Sequence, residues 1–276
     1  MNFFQSLIFG LFSGLSDILP VSSQAHKTML LKIFGVNAEA PLMRLFIHIG
    51  ILAALYYCCS NQIMRIARQL RLARIPKKKR KRPVDQRTLM EFRLLRTMLI
   101  PILLSLVLYN RTVEWGTKLQ LMAIFLLING VILFLPTLLP TGNKDARSMS
   151  ALEGVLIGLG GAASVVPGIS AIGSVNAVSS VCGAERTFAF NLSLLMNMVL
   201  TIALIAFDFA AIYAAGLSTL SAANMLTYLI ASIAAFGGAY LGIQTMRLLA
   251  ANIGFTIFAF YSFGAALLSF VLYLMV

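Results

Sequence analysis

The chain has 276 residues, of which 59% are hydrophobic and only 11% charged. A soluble domain is roughly half apolar and about a quarter charged, so this balance, with a mean hydropathy of +0.89, excludes a soluble globule, a disordered chain and a disulfide scaffold. The net charge of +13 resembles that of a nucleic-acid binder, but 13 of the 22 Lys+Arg fall between residues 61 and 96, leaving the remainder nearly neutral: a membrane protein with one basic segment and no nucleic-acid partner.

In chain order, the first apolar stretch, 3–34, is interrupted by Leu-Pro-Val-Ser-Ser at 19–23. Its halves are too short to cross a hydrocarbon core that needs roughly 20 helical residues. Its start lacks the basic region and small-residue cleavage pattern of a signal peptide, so it is expected to stay in the mature protein. Residues 42–60 form a span. In the basic segment that follows, Arg65, Arg68, Arg71 and Arg74 recur at three-residue spacing, which predicts a helical extension ahead of the Lys-Lys-Lys-Arg-Lys-Arg run at 77–82. Positive charge beside span ends favours the cytoplasmic side, which places 61–96 inside the cell and both termini outside. The run also suits anionic lipid headgroups. A short span is expected at 97–110, with Pro101 near its start, and a full one at 119–139. Lys144 and Arg147 mark 140–149 as another inside loop. The stretch 150–184 is broken by Val-Pro-Gly-Ile-Ser at 166–170, and spans follow at 188–212, 224–247 and 254–275. Cys58, Cys59 and Cys182 are expected as free thiols.

An offset of 147 residues superposes Gly14 on Gly161, Pro20 on Pro167 and Ser23 on Ser170. Matches on two broken segments in corresponding halves point to an inverted repeat with its site at the interface. The fold class predicted is an all-α polytopic membrane protein, about six transmembrane helices plus two re-entrant helix hairpins, forming one membrane domain over 1–276 with repeats at 1–140 and 150–276. Broken helices are tolerated at membrane depth only where the freed backbone is buried in protein or lines a wet cavity. Ionisable residues inside membrane segments are costly and default to functional candidates. Here they are Asp17, His26, His48 and Asp208, with Glu153 and Glu185 at the ends of the second broken segment. Asp17, Ser22, Ser23 and His26 gather around Pro20, where a half-helix N-terminus offers free N–H donors that suit a phosphate. The bland alternative is that both serines cap the second half-helix and His26 bonds a carbonyl. His48 and Asp208 likewise read either as cavity groups or as satisfied core residues.

The string Gly-Leu-Ser-Asp-Ile-Leu-Pro-Val-Ser-Ser-Gln-Ala-His at 14–26 resembles the first signature of the undecaprenyl-diphosphate phosphatase family, also called the bacitracin-resistance family. Val-Pro-Gly-Ile-Ser-Ala-Ile-Gly at 166–173 resembles its second. The likeness continues through Phe-Ile-His-Ile-Gly-Ile-Leu at 46–52, Gly-Ala-Glu-Arg-Thr at 183–187 and the region of 258–261. It implies two inverted re-entrant hairpins in a bacterial cytoplasmic (inner) membrane. The implied activity is removal of one phosphate from undecaprenyl diphosphate, which regenerates the lipid carrier for peptidoglycan and confers bacitracin resistance. A divalent cation, Mg²⁺ or Ca²⁺, assists. By resemblance, Asp17 holds the cation, Ser23 is nucleophile or phosphate ligand, and His26 is the acid–base partner. Ser22, Pro167, Gly168, Ser170 and His48 lie on the substrate side.

This chain departs from the family pattern at three signature positions. The first of the family's paired glutamates is Ser13 here and the second is the shorter Asp17; the arginine that follows the second-signature serine is Ala171. An arginine that stabilises phosphoryl transfer is worth roughly 10³–10⁵ in rate, so ordinary family chemistry is expected to be weakened. Three functions stay open: a polyprenyl-diphosphate phosphatase, a carrier or flippase of polyprenyl phosphate without hydrolysis, and a regulatory subunit docking a partner through the basic segment. A homodimer is compatible with each.

Overall fold

The computed structural model describes residues 1–215, 222–252 and 255–275. Among them there is no strand, only an isolated bridge between Lys144 and Ala184. The helices are α1 (Phe3–Ile18), α2 (Ser23–Ile33), α3 (Pro41–Arg74), α4 (Gln86–Ser105), the single turn α5 (Tyr109–Thr112), α6 (Leu119–Phe134), α7 (Ala151–Ala162), α8 (Ala171–Val181), α9 (Arg186–Ala215), α10 (Ala222–Asn252) and α11 (Thr256–Met275). Five of the described helices, α3, α6, α9, α10 and α11, are long and apolar enough to cross a membrane. The chain is a multi-pass membrane protein. The segment expected at 97–110 is the second half of α4, running on through 3-10 turns to Thr117; its first half carries Arg87, Glu91, Arg93 and Arg96. Gly254, the first residue of the last predicted span, lies outside the described residues.

Both predicted breaks are present. Leu19, which precedes Pro20, is extended (φ −70°, ψ 147°), because the proline ring clashes with a helical predecessor. The chain then turns through Ser22, a non-glycine residue at φ 63°, whose Oγ accepts a bond from Ala25 N and caps α2. Backbone strain of this kind persists only where the surroundings enforce it. In the second half, α7 tightens into a 3-10 turn at Ala163–Val165, Val166 is extended ahead of Pro167, and Gly168 adopts φ 102°. Ser170 caps α8 by accepting from Gly173 N at 3.1 Å. The arginines at 65, 68, 71 and 74 lie on one continuous helix, so the basic segment is largely helical rather than loop.

The short helices pack closely because small residues line them. A Cβ on Gly14 would stand 2.0 Å from the Ala235 carbonyl oxygen, and one on Gly10 2.2 Å from that of Ala231, so α1 lies backbone to backbone on α10. In the other half, Gly158 admits the Met98 carbonyl and the Pro101 ring of α4 against α7. The 147-residue offset carries α1, α2, α3 and α4 onto α7, α8, α9 and α10, and in chain order α6 then corresponds to α11. Under that exchange the packing of α1 on α10 becomes that of α7 on α4, and α3 on α10 becomes α9 on α4. The pairs α3–α9 and α6–α11 each map onto themselves.

Candidate active site

The two breaks meet, and one side chain ties them. Asn129 of α6 is fully buried; its Oδ1 accepts from Ser170 N at 2.9 Å, and its Nδ2 donates to the Pro20 carbonyl at 3.3 Å and to Ser262 Oγ at 3.0 Å. Ser170 Oγ reaches across to the Leu19 carbonyl at 3.5 Å. Nothing in the sequence singled out Asn129 beyond its being an amide within an apolar span.

Against this junction lies a cavity of about 110 Å³. Asp17, Ser22 and Ser23 line it from the first break, and Pro167, Ser170 and Ala171 from the second. His48 lines it from α3 and Asn197 from α9. Apolar residues, including Leu106, Val165, Ile169 and Leu204, complete the wall. Asp17 Oδ2 accepts from Asn197 Nδ2 at 2.8 Å, which fixes the carboxylate and leaves Oδ1 to the cavity. Ser23 Oγ donates a long bond, 3.3 Å, to the Ser13 carbonyl, so Ser22 is the cap and Ser23 is not. The Ser13 hydroxyl itself is buried and, among the described residues, has no hydrogen-bonding partner.

Two sequence-derived candidates stand elsewhere. His26 points away from this cavity: its Nδ1 bonds the Ser22 carbonyl at 2.8 Å, its Nε2 bonds the Tyr261 hydroxyl at 2.7 Å, and the two rings stack. Both imidazole nitrogens are thereby engaged. Gly168 packs on Phe125, where a Cβ would meet the Phe125 Cβ at 2.5 Å.

The cavity also holds cations that motif reading passed over. Arg44 and Lys27 both line it. Lys27 pairs with Glu39 at 3.7 Å. Arg44 Nε donates to Asp208 Oδ1 at 2.5 Å, and the other oxygen of that carboxylate receives His48 Nδ1 at 2.6 Å. The rule that flagged Asp17 applies equally to Arg44, which stands within the span 42–60, and its four-residue spacing from His48 puts both on one helix face. The positive charge that Ala171 does not bring to the site is therefore supplied from α2 and α3.

Among the described residues no three His, Cys, Asp or Glu side chains gather. A hard divalent cation accepts one or two carboxylates, with phosphate oxygens and water filling the shell. Asp17 beside a phosphate-sized space fits that minimal arrangement, and fits Mg²⁺ better than Ca²⁺, which takes more oxygen ligands. The three cysteines are free.

The family model described as "Bacitracin resistance protein BacA" matches residues 6–268. Among curated proteins named "Undecaprenyl-diphosphatase", that of Methanobrevibacter smithii is 28% identical over 95% of this chain and 94% of its own. That of Treponema denticola is 26% identical over 95% and 94%, and that of Carboxydothermus hydrogenoformans 28% over 72% and 70%.

Proposed function

This chain belongs to the bacitracin resistance protein BacA family, and on that premise we propose that it hydrolyses undecaprenyl diphosphate, or a close polyprenyl diphosphate, to the monophosphate and free phosphate. The observation that carries the reading is the cavity, where a carboxylate, serine hydroxyls and two cations converge on the junction of two broken helices inside an apolar protein. Water attacks the terminal phosphorus, the bridging P–O bond breaks, and its electron pair leaves on the lipid monophosphate. Ser22, Ser23 and Ser170 bind phosphate oxygens, and the apolar wall takes the first isoprene units. Asp17 would hold the divalent cation, whose charge offsets that of the phosphates. His26 supports the first break through Ser22 and Tyr261. The proton-transfer role expected of it requires one of those bonds to open.

The matched helix pairs support an inverted repeat of 1–140 and 150–276, and charge placement supports 61–96 on the cytoplasmic side of a bacterial inner membrane. Ser13 and Ala171, where the family signatures carry a glutamate and an arginine, support a second reading: a carrier that binds polyprenyl phosphate without cleaving it. Phosphate release from undecaprenyl diphosphate by purified protein, with Mg²⁺ or with EDTA, beside Asp17→Asn, separates the two. Metal-dependent release that Asp17→Asn removes supports hydrolysis. Lipid binding or flipping in vesicles without release supports the carrier.

A further inference from the structure

We propose that Arg44 and His48, held on opposite oxygens of the Asp208 carboxylate, are the phosphate-binding cation and the proton-transfer group of this cavity; the proposal rests on the polyprenyl-diphosphate reading above. Three observations carry it. Asp208 of α9 is fully buried, and a buried carboxylate persists only when it is paired and hydrogen-bonded. Its partners are these two residues, at 2.5 and 2.6 Å, and both line the cavity. Because Asp208 takes Nε of Arg44, the two Nη groups remain, and among the described residues neither has a hydrogen-bonding partner. The Arg44 side chain is 21% exposed, and its unpaired fork suits bidentate contact with phosphate oxygens.

The third observation concerns the imidazole. A carboxylate only accepts hydrogen bonds, so its contact with Nδ1 fixes the proton there and leaves the Nε2 lone pair to the cavity. The Nε2 lone pair is then the atom that can take a proton. His26, with both nitrogens engaged away from the cavity, offers no such atom. In the reaction, His48 Nε2 removes a proton from the attacking water as its oxygen bonds the terminal phosphorus. The bridging P–O bond breaks toward the lipid monophosphate, Arg44 faces the non-bridging oxygens, and the proton passes from His48 to the departing phosphate. Asp208 acts through the other two and is a positioning residue.

The test uses the full-length protein in detergent with undecaprenyl diphosphate. Arg44→Gln is expected to lower kcat/KM by about 10²–10³-fold, the usual effect of removing one transition-state donor. Arg44→Lys should fall between, and Ala171→Arg, placed on the same cavity wall, should restore part of the loss. His48→Gln, which keeps a donor for Asp208 but takes no proton, should fall by about 10²-fold or more. Independently of turnover, undecaprenyl phosphate should protect Arg44 from phenylglyoxal, read by peptide mass. Arg44→Gln and His48→Gln both within about threefold of the parent, with Asp17→Asn inactive, would overturn the proposal and leave the hydrolysis reading intact. A parent that releases no phosphate yet shows protection would sink hydrolysis and the His48 role, and keep Arg44 as a lipid-phosphate ligand. Equal modification of Arg44 with and without lipid would overturn the proposal whatever the hydrolysis assay gives.

Discussion

Asn129→Leu removes the side chain that joins the two helix breaks while nearly conserving its volume, so packing changes little and the polar loss stands alone. Three bonds disappear: the one received from Ser170 N, and those given to the Pro20 carbonyl and to Ser262 Oγ. Orphaning a buried polar group costs about 1–3 kcal/mol. The Pro20 contact is long at 3.3 Å, and Ser170 lines the wet cavity, where water relieves part of its loss. The expected total is about 2–4 kcal/mol. For a chain of this size that lowers Tm by roughly 5–15 °C. A thiol-reactive dye is a suitable reporter, because Cys59 is buried and Cys58 and Cys182 are half-buried in the folded protein. Ser262→Ala, which removes only one of the three bonds, should cost about 1 kcal/mol. Phosphate release should fall further than the folded fraction does, since Ser23 and Ser170 sit on the two loosened breaks. A leucine variant that melts within about 2 °C of the parent and turns over normally would refute the assignment of Asn129 as the tie.

Gly14→Ala puts a methyl group 2.0 Å from a backbone oxygen and should cost about 1–3 kcal/mol by the same melting assay. Gly237→Ala, with open space around its Cβ, should be neutral or stabilising by about 0.5–1 kcal/mol. At the start of α4, hydrogen bonds from the Thr88 hydroxyl and the Arg87 and Thr88 backbone N–H groups hold the Asp85 carboxyl below its ordinary range. A depressed folded-state value means that its contribution is complete above the unfolded-state pKa and is lost as pH falls through the lowered one. Asn at 85 still caps, so Asp85→Asn should melt like the parent near neutrality with a flatter acid limb, whereas Asp85→Ala should melt lower across the range. Tyr261→Phe removes the His26 partner and should cost about 1 kcal/mol while leaving turnover within about threefold; a collapse of turnover would return the proton-transfer role to His26.

What the sequence disclosed was what depends on neighbouring residues. Pro20 and Pro167 interrupt helices through their own rings and missing N–H groups, so both breaks were legible at the right positions. The helical extension to Arg74 followed from its arginine spacing, and the free cysteines from their separation. Pairings across distance were not legible. Asn129 meets residues 109 and 41 positions away, and Asp208 meets Arg44 across 164, contacts that packing alone decides. His26 shows the opposite hazard: it stands three residues after Ser23 in the motif, but the Ser22 carbonyl and Tyr261 draw its ring away from the cavity.

The way α1 and α2 are held has a consequence for the reacting groups themselves. The helix that carries Asp17 rests on α10 through Gly10 and Gly14, whereas α2, which carries Ser23, is fastened to α6 and α11 through Ala25 and Met29, and by Thr28 Oγ1 to the Gly116 carbonyl at 2.8 Å. Carboxylate and hydroxyl are surveyed from separate walls. The distance between them is an adjustable dimension, set by how closely α1 and α10 approach at Gly10, Gly14 and Gly238, residues that do not line the cavity. An added methyl group at any of these moves one group relative to the other while altering neither, so the site is retunable from outside itself.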